Sequence, residues 1–389
     1  MTLAIVTNNP TAVAETYVRQ HMRLIRPGAT VAIGLSCEGE PGLGIPVHCV
    51  RRRRRGPLGK VTTLATMIRT GYGAALSRPE EDRLTAFLKA HGAEAVLAEF
   101  GTSGAAVRAL CRKTGLPLFV NFHGHDATVL GKRKDIRRAY RLLARNAERV
   151  ICGSRHFAAL LRGLGFPEAK ITVIPCGIEL AGFSADADRN PDLVMAVGRL
   201  TRKKRPDLAI RAFALAHKER PSLRFEIIGE GSQRAVCEEA IRELGLGSAV
   251  TLLGSRCHDE VKARLAQGGI FVQHSVTAEN GDQESQGISL LEAMASGLAV
   301  VATDHNGFSE TVVHGETGYL SPEGDVVAMA ANILRLAQDP ERARWFGRAG
   351  RARVEAEFDA LRLAGRLREV IFGSGARTTV SEGPQGVPA

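Results

Sequence analysis

Glu284 and Glu292 bracket a short stretch whose residue types suit a ligand carrying phosphate and hydroxyl groups. Between and beyond them, Ile288, Leu291 and Ala295 recur at i, i+3 and i+7, the spacing of one helical face, and Gly297 closes the run. A helix starting near Gln286 exposes backbone N–H groups without intrahelical partners, and the positive end of its dipole, around Gln286, Gly287 and Ile288. Phosphate binds at such an end. A carboxylate beside an anion site is repelled unless it has another task, and gripping a ribose diol is one. Ordinary solvation and local capping of the two glutamates is the alternative. Arg199 and Lys204 follow the apolar strand 193–197 and offer two kinds of phosphate ligand, a planar fork and a point charge. A solvated basic loop is the other reading of that run. Gly229 and Gly231 follow the strand 224–228. They lack the order of a dinucleotide fingerprint and instead suit close approach of backbone to a ligand. In the first half, His123 and Asp126 follow the buried strand 118–122, where open α/β sheets bind ligands; a loop histidine bonded to backbone fits the same pattern.

These residues must be placed by the elements around them. Short apolar runs at 3–7, 31–35, 47–50, 95–100, 118–122, 149–152 and 171–174 alternate with helical patterns, including a region over 60–91 broken near Pro79. After a polar stretch at 181–191 the alternation starts again, with strands at 193–197, 224–228, 250–253, 270–273 and 298–302. Helices are expected over 324–337 and 340–371. This order predicts an α/β fold of two doubly wound, Rossmann-like domains with parallel sheets facing each other across a cleft. The length of 389 residues fits two domains.

Composition narrows the class. The net charge of +11 favours an anionic partner such as a nucleotide or a phospholipid surface. Aromatic residues make up 5%, few for base stacking, and no nucleic-acid recognition module is present, so no nucleic-acid partner is expected. Seven cysteines are scattered with no Cys-x-x-Cys pair, which predicts core residues in a reducing compartment rather than disulfides or zinc. Asp186 and Asp188 superficially resemble a metal-binding pair but follow no buried strand. No apolar run is long enough to span a bilayer, and the N-terminal run reads as a strand rather than a signal peptide.

Several segments together resemble the retaining glycosyltransferases of family 4, which have the GT-B fold. They are Gly198-Arg199-Leu200 with Lys203-Lys204, the turn Ile227-Ile-Gly-Glu-Gly-Ser232, Glu284-x7-Glu292-Ala-Met-Ala, and Gly315-x-Thr-Gly318. In the first half, Pro10, Glu15-Thr16-Tyr17, His123-Gly-His-Asp126, Ser154-x-x-Phe157 and Gly177-Ile178-Glu179 also match. The resemblance implies an acceptor-binding domain over 1–180, a linker over 181–191 and a nucleotide-sugar-binding domain over 192–355. It leaves a terminal helix over 356–372 that can cross back to the first domain and a disordered tail over 373–389. It further implies that Arg199 and Lys204 hold the donor diphosphate, Glu292 accepts from the ribose hydroxyls and Glu284 contacts the transferred sugar. Gly229, Gly231 and the backbone at Gln286, Gly287 and Ile288 would complete the donor site. His123 and Asp126 would lie on the acceptor side as catalytic groups with Glu284. The implied substrate is a UDP- or GDP-hexose, with no cofactor and no metal. The implied route is front-face attack with retention; covalent catalysis by Glu284 stays open.

Ser285, Arg205, Asn306 and Ser309 stand where the family commonly has Gly, Gly, Gly and Pro. Arg205 is expected to add charge at the diphosphate. Relatives build polysaccharides on lipid-linked intermediates, so a glycan or lipid-linked acceptor is expected. The basic residues Lys132, Arg133, Lys134, Arg137, Arg138, Arg141 and Arg145, with the run 51–55, suggest an anionic membrane surface as partner. The expected location is cytoplasmic and peripheral at the inner membrane face. A nucleotide-sugar epimerase of the same fold, and a basic nucleic-acid binder, are the rival classes.

Overall fold

Apolar runs bounded by polar turns become strands because each can be buried on both faces by flanking helices. In the computed structural model, residues 1–10, 16–37, 43–50, 58–185 and 189–373 are described, without the side chains of 58–62. The arginine run 51–55, Glu15, Asp186, Asp188 and nearly all of the tail lie outside the described residues.

The chain divides into two units, one of Met1–Cys152, Leu160–Ile174 and the residues from Ala360 onward, the other of Gly153–Ala159 and Pro175–Asp359. The first unit holds β1 (Thr2–Thr7), β2 (Thr30–Gly34), β3 (Val47–Cys49), β4 (Ala93–Glu99), β5 (Leu118–Phe122), β6 (Arg149–Cys152) and β7 (Ile171–Val173). They form a parallel sheet in the order β3-β2-β1-β4-β5-β6-β7. The order reverses between β1 and β4, so the crevice of this unit lies beyond the carboxyl ends of those strands. Glu99 is the last residue of β4.

The second unit holds β8 (Asn190–Val197), β9 (Arg224–Ile228), β10 (Val250–Gly254), β11 (Gly268–Gln273), β12 (Ala299–Thr303) and β13 (Gly318–Ser321). Its order is β10-β9-β8-β11-β12-β13, again all parallel. The switch point falls between β8 and β11. The loop bearing Arg199 and Lys204 leaves β8, and the loop bearing Glu284 leaves β11.

The long helical regions resolve into separate helices, and the expectation about the cysteines is corrected. The helical stretch over 340–371 is two helices, Pro340–Glu357 and Ala360–Phe372, the second corresponding to the terminal helix expected over 356–372. The chain breaks at Phe358, whose carbonyl accepts from Ile178 N–H at 3.0 Å. The second of these helices buries Leu363, Ala364 and Leu367 with Leu3, Ile5 and Val18 in the first unit's core. The helical region over 60–91, expected to break near Pro79, is two helices, Leu58–Thr70 and Arg78–Ala90. Finally, Cys37 and Cys49 form a disulfide, with S–S 2.11 Å. The pairing of β2 with β3 sets Gly34 opposite Cys49, which brings Cys49 to the segment just past β2 where Cys37 lies. Sequence spacing carries no sign of that register. Among the described residues, no helix is long and apolar enough to cross a membrane.

Candidate active site

In the second unit, the helix after Glu284 runs Ile288–Ala295, two residues later than its spacing suggests. Gly287 sets the start: its φ is 75°, and a Cβ there would meet the Phe308 ring at 2.8 Å. An L side chain is therefore excluded on both counts. Leu290, Leu291, Ala293, Met294 and Ala295 are fully buried, which anchors the helix. Gln286 does not offer its side chain outward. Its Nε2 donates to Cys176 O at 3.0 Å and its Oε1 accepts from Cys176 N–H at 2.7 Å. What this segment leaves for an anion is the backbone of the first turn.

Lys204 Nζ lies 3.0 Å from Glu284 Oε2. That oxygen is sealed from solvent and meets the ammonium as an ion pair rather than an aligned hydrogen bond. Burial pushes the Glu284 carboxyl up, but Lys204, Lys203 and Arg199 outweigh it and hold it at about 2. Glu292 has the opposite balance. Burial dominates and raises its carboxyl to about 7, against the weaker pull of Lys262 and Lys204. Lys204 thus acts on both acids, and Arg199 stands exposed near the start of the same loop. The cationic pair and the two glutamates are brought together on one face of this unit.

The glycine turn at 229–231 packs closely against the neighbouring loop. Gly229 has φ 141°, and a Cβ on it would lie 2.0 Å from Gly198 O. The glycine accommodates the crossing of its own loop with the loop of Arg199. Leu200 N–H donates to Glu230 O at 2.9 Å, tying the two together. Arg205 departs from expectation. It occupies φ 36° and turns its guanidinium onto Asp207, with bonds of 2.9 and 2.8 Å, so its charge is spent there. Asn306 likewise holds a left-handed φ of 49°. Both positions are ones where the family commonly has glycine.

Three further residues secure the backbone around Glu284. Lys203 is buried, donates to Gln283 O at 3.1 Å and pairs with Asp282 at 3.5 Å. It fastens the irregular loop that delivers Glu284. His305 and Asn306 hold the Glu284 backbone itself, with Glu284 N–H donating to His305 Nε2 at 3.0 Å and Asn306 Nδ2 donating to Glu284 O at 3.1 Å.

In the first unit, His123 directly follows β5 and its Nε2 lies 2.6 Å from Glu99 Oε2. His21 Nδ1 lies 2.6 Å from the other carboxylate oxygen, Oε1. Glu99 has no solvent exposure. Burial raises its carboxyl, but His21 and His123 together overcome this and hold it at about 2. The Tyr17 ring packs on His123 at 4.4 Å. Glu99 and His21 were not singled out in the sequence; the available signal was an acid closing an otherwise apolar strand. Asp126 is corrected. It is 2% exposed, and its oxygens accept from the N–H groups of His123 (3.2 Å), Gly124 (3.0 Å) and Gly101 (2.8 Å). A carboxylate so engaged braces the loop at the end of β5.

The helix Lys134–Asn146 buries Ile136, Ala139, Tyr140 and Leu143 and exposes Lys134, Arg137, Arg138, Arg141 and Arg145. Its apolar side is used within its own unit, so it presents charge without an apolar face to insert. Among the described residues, no cluster of side chains suits a metal ion.

Comparison with known proteins agrees with this architecture. Residues 180–353 match the family described as glycosyl transferases group 1, and residues 11–177 match the glycosyl transferase 4-like domain. The amylovoran biosynthesis glycosyltransferase AmsK of Erwinia amylovora is 35% identical over 73% of this chain and 71% of its own. The putative colanic acid biosynthesis glycosyltransferase WcaL of Escherichia coli is 30% identical over 69% of this chain and 67% of its own. Among solved structures, Anabaena HepE in complex with UDP and glucose superposes with a TM-score of 0.76 at 19% identity, covering 95% of this chain and 98% of that one. Sucrose-phosphate synthase from Thermosynechococcus elongatus superposes at 0.75 with 22% identity, covering 95% and 98%. The chain belongs to the group 1 glycosyl transferases, family 4 of the glycosyltransferases with the GT-B fold, and is a glycosyltransferase.

Proposed function

We propose that the protein transfers a hexosyl group, with retention, from a UDP- or GDP-sugar to a glycan or lipid-linked acceptor in exopolysaccharide assembly. The observation that carries this reading is the Lys204–Glu284 contact of 3.0 Å, with Arg199 and Lys203 adding to the field on the same carboxylate. The bond between the anomeric carbon and the diphosphate breaks as the acceptor oxygen bonds the same face of that carbon. The acceptor proton passes to the departing phosphate oxygen. Negative charge grows on the diphosphate, and Arg199, Lys204 and the first-turn N–H groups of the helix Ile288–Ala295 are the groups available to stabilise it. With that charge supplied by side chains, no divalent metal is required. Glu284 orients the sugar and Glu292 accepts from the ribose. On the first unit, His123 is assigned to the acceptor side, with Glu99 and Asp126 fixing its surroundings.

Support for the donor class is chemical and comparative. HepE was solved with UDP and glucose. The GDP-mannose-dependent phosphatidylinositol monomannoside mannosyltransferase of Mycobacterium tuberculosis is 28% identical over 54% of this chain and 58% of its own. AmsK and WcaL support the exopolysaccharide setting. The exposed basic face of the helix Lys134–Asn146 supports electrostatic association with an anionic membrane, without insertion. Flotation with anionic liposomes at low salt and release at high salt is expected; no flotation at low salt contradicts it.

The test of the reaction is transfer from UDP-glucose and GDP-mannose to a lipid-linked sugar acceptor, in EDTA, with the product's anomeric configuration read by NMR. An α-linked product from an α-linked donor is expected. An inverted product, or strict dependence on added metal, overturns the reading.

A further inference from the structure

The loop between β11 and the helix Ile288–Ala295 delivers Glu284 without regular backbone pairing, so its peptide groups need buried partners. Resting on the assignment of Glu284 to the donor sugar, we infer that His305 is a positioning residue for that carboxylate. It fixes the Glu284 backbone through a hydrogen-bond relay anchored on Glu323.

His305 is fully buried. Its Nε2 meets two donors, Glu284 N–H at 3.0 Å and Asn306 Nδ2 at 2.8 Å. The same Nδ2 also donates to Glu284 O at 3.1 Å, using its second hydrogen. A nitrogen facing two donors must present its lone pair, so the ring proton sits on Nδ1. Nδ1 faces the Glu323 carboxylate, which accepts that proton in a hydrogen bond. Glu323 is itself held, accepting from Thr277 N–H at 3.0 Å. The relay therefore runs from Thr277 through Glu323 and His305 to the Glu284 N–H and, by way of Asn306, to the Glu284 carbonyl. Its tautomer is set at one end and used at the other. The Glu284 side chain leaves this fixed backbone toward Lys204.

His305 also packs edge-on to Phe308, with ring centroids 5.6 Å apart. A purely space-filling role is the competing account, and conservative variants separate the two. His305→Leu keeps an apolar group of similar bulk and removes the acceptor. His305→Gln returns an acceptor close to the Nε2 position. Calorimetric titration of wild type and both variants with UDP, GDP, UDP-glucose and GDP-mannose gives the affinity of each bare diphosphate and the sugar's addition to it. His305→Leu is expected to lower the sugar's addition about tenfold, the scale of one buried unsatisfied donor, and to leave the bare diphosphate within about twofold. His305→Gln is expected to recover most of the loss. If His305→Leu does not fold, Asn306→Ala carries the test with a loss of about threefold in the sugar's addition alone.

Three results overturn the inference: a full sugar contribution in the variants, equal loss of bare diphosphate binding, or no recovery with His305→Gln. Glu284→Ala separates the layers. If it leaves the sugar's addition unchanged, or wild type gains nothing from either sugar, the assignment of Glu284 itself fails and this inference falls with it. If Glu284→Ala lowers that addition and the His305 variants do not, only the positioning role fails.

Discussion

Lys204 stands 3.0 Å from Glu284 and is the main charge holding its carboxyl down, whereas at Glu292 the same ammonium only partly offsets the burial that raises the carboxyl. Glu284 is ionised well below neutrality, whereas Glu292 is poised near it.

Loss of Lys204 removes the main charge opposing the burial of Glu284. Lys204→Met is expected to destabilise the second unit by about 2 kcal/mol at pH 7, below the fully buried range because both side chains keep some exposure. Urea denaturation of wild type and variant measures this. An unchanged midpoint would show that the pair contributes nothing to folding.

Glu292 predicts a pH effect on nucleotide binding. Its folded carboxyl lies near 7, above its ordinary 4.5, so the free protein holds a proton there that the unfolded chain has lost between those values. An ionised acceptor for the ribose hydroxyls requires that proton to leave. Affinity for a nucleoside diphosphate is therefore expected to rise as pH goes from about 6 to 8, with proton release seen by calorimetry in buffers of different ionisation heat. Glu292→Gln should abolish the release.

Glu99 gives the opposite sign. Its folded carboxyl is held at about 2, below 4.5, so its stabilisation is complete above about pH 4.5 and is lost as pH falls toward 2. Glu99→Gln is expected to cost about 3 kcal/mol at pH 6 and to flatten that part of the acid limb in a thermal-melt series. A variant with the wild-type acid limb would contradict the His21–Glu99–His123 arrangement.

The Cys37–Cys49 disulfide predicts that alkylation of the denatured, unreduced protein labels five of the seven cysteines. Mass spectrometry reads the count directly. Reduction is expected to lower stability by about 3 kcal/mol on the loop-closure estimate. Seven labelled cysteines would remove this bond from the account.

What the sequence revealed depended on whether a signal was local. The alternation of apolar runs with helices is a periodic pattern, and the two parallel sheets follow from it. Arg199, Lys204 and Glu284 lie on loops and Glu292 within the helix Ile288–Ala295, elements with known preferences, so their spacing could be read directly. Glu99, His21, His305 and Glu323 matter because the tertiary fold sets residues distant in sequence side by side, and no local spacing encodes that. Asp126 shows the converse: its place after a strand marked it, but only the three N–H groups around it disclose its structural task. The Cys37–Cys49 bond depends on the register of β2 with β3, which composition cannot supply.

The most direct measurement is a thermal-shift titration of wild type, Lys204→Ala and Glu292→Ala with UDP-glucose and GDP-mannose. At least one of these donors should raise the melting temperature of the wild type, neither should raise that of the two variants, and Asp186→Ala should respond as wild type does. A full shift in Lys204→Ala, or no shift in wild type with either donor, would contradict a diphosphate held by this lysine.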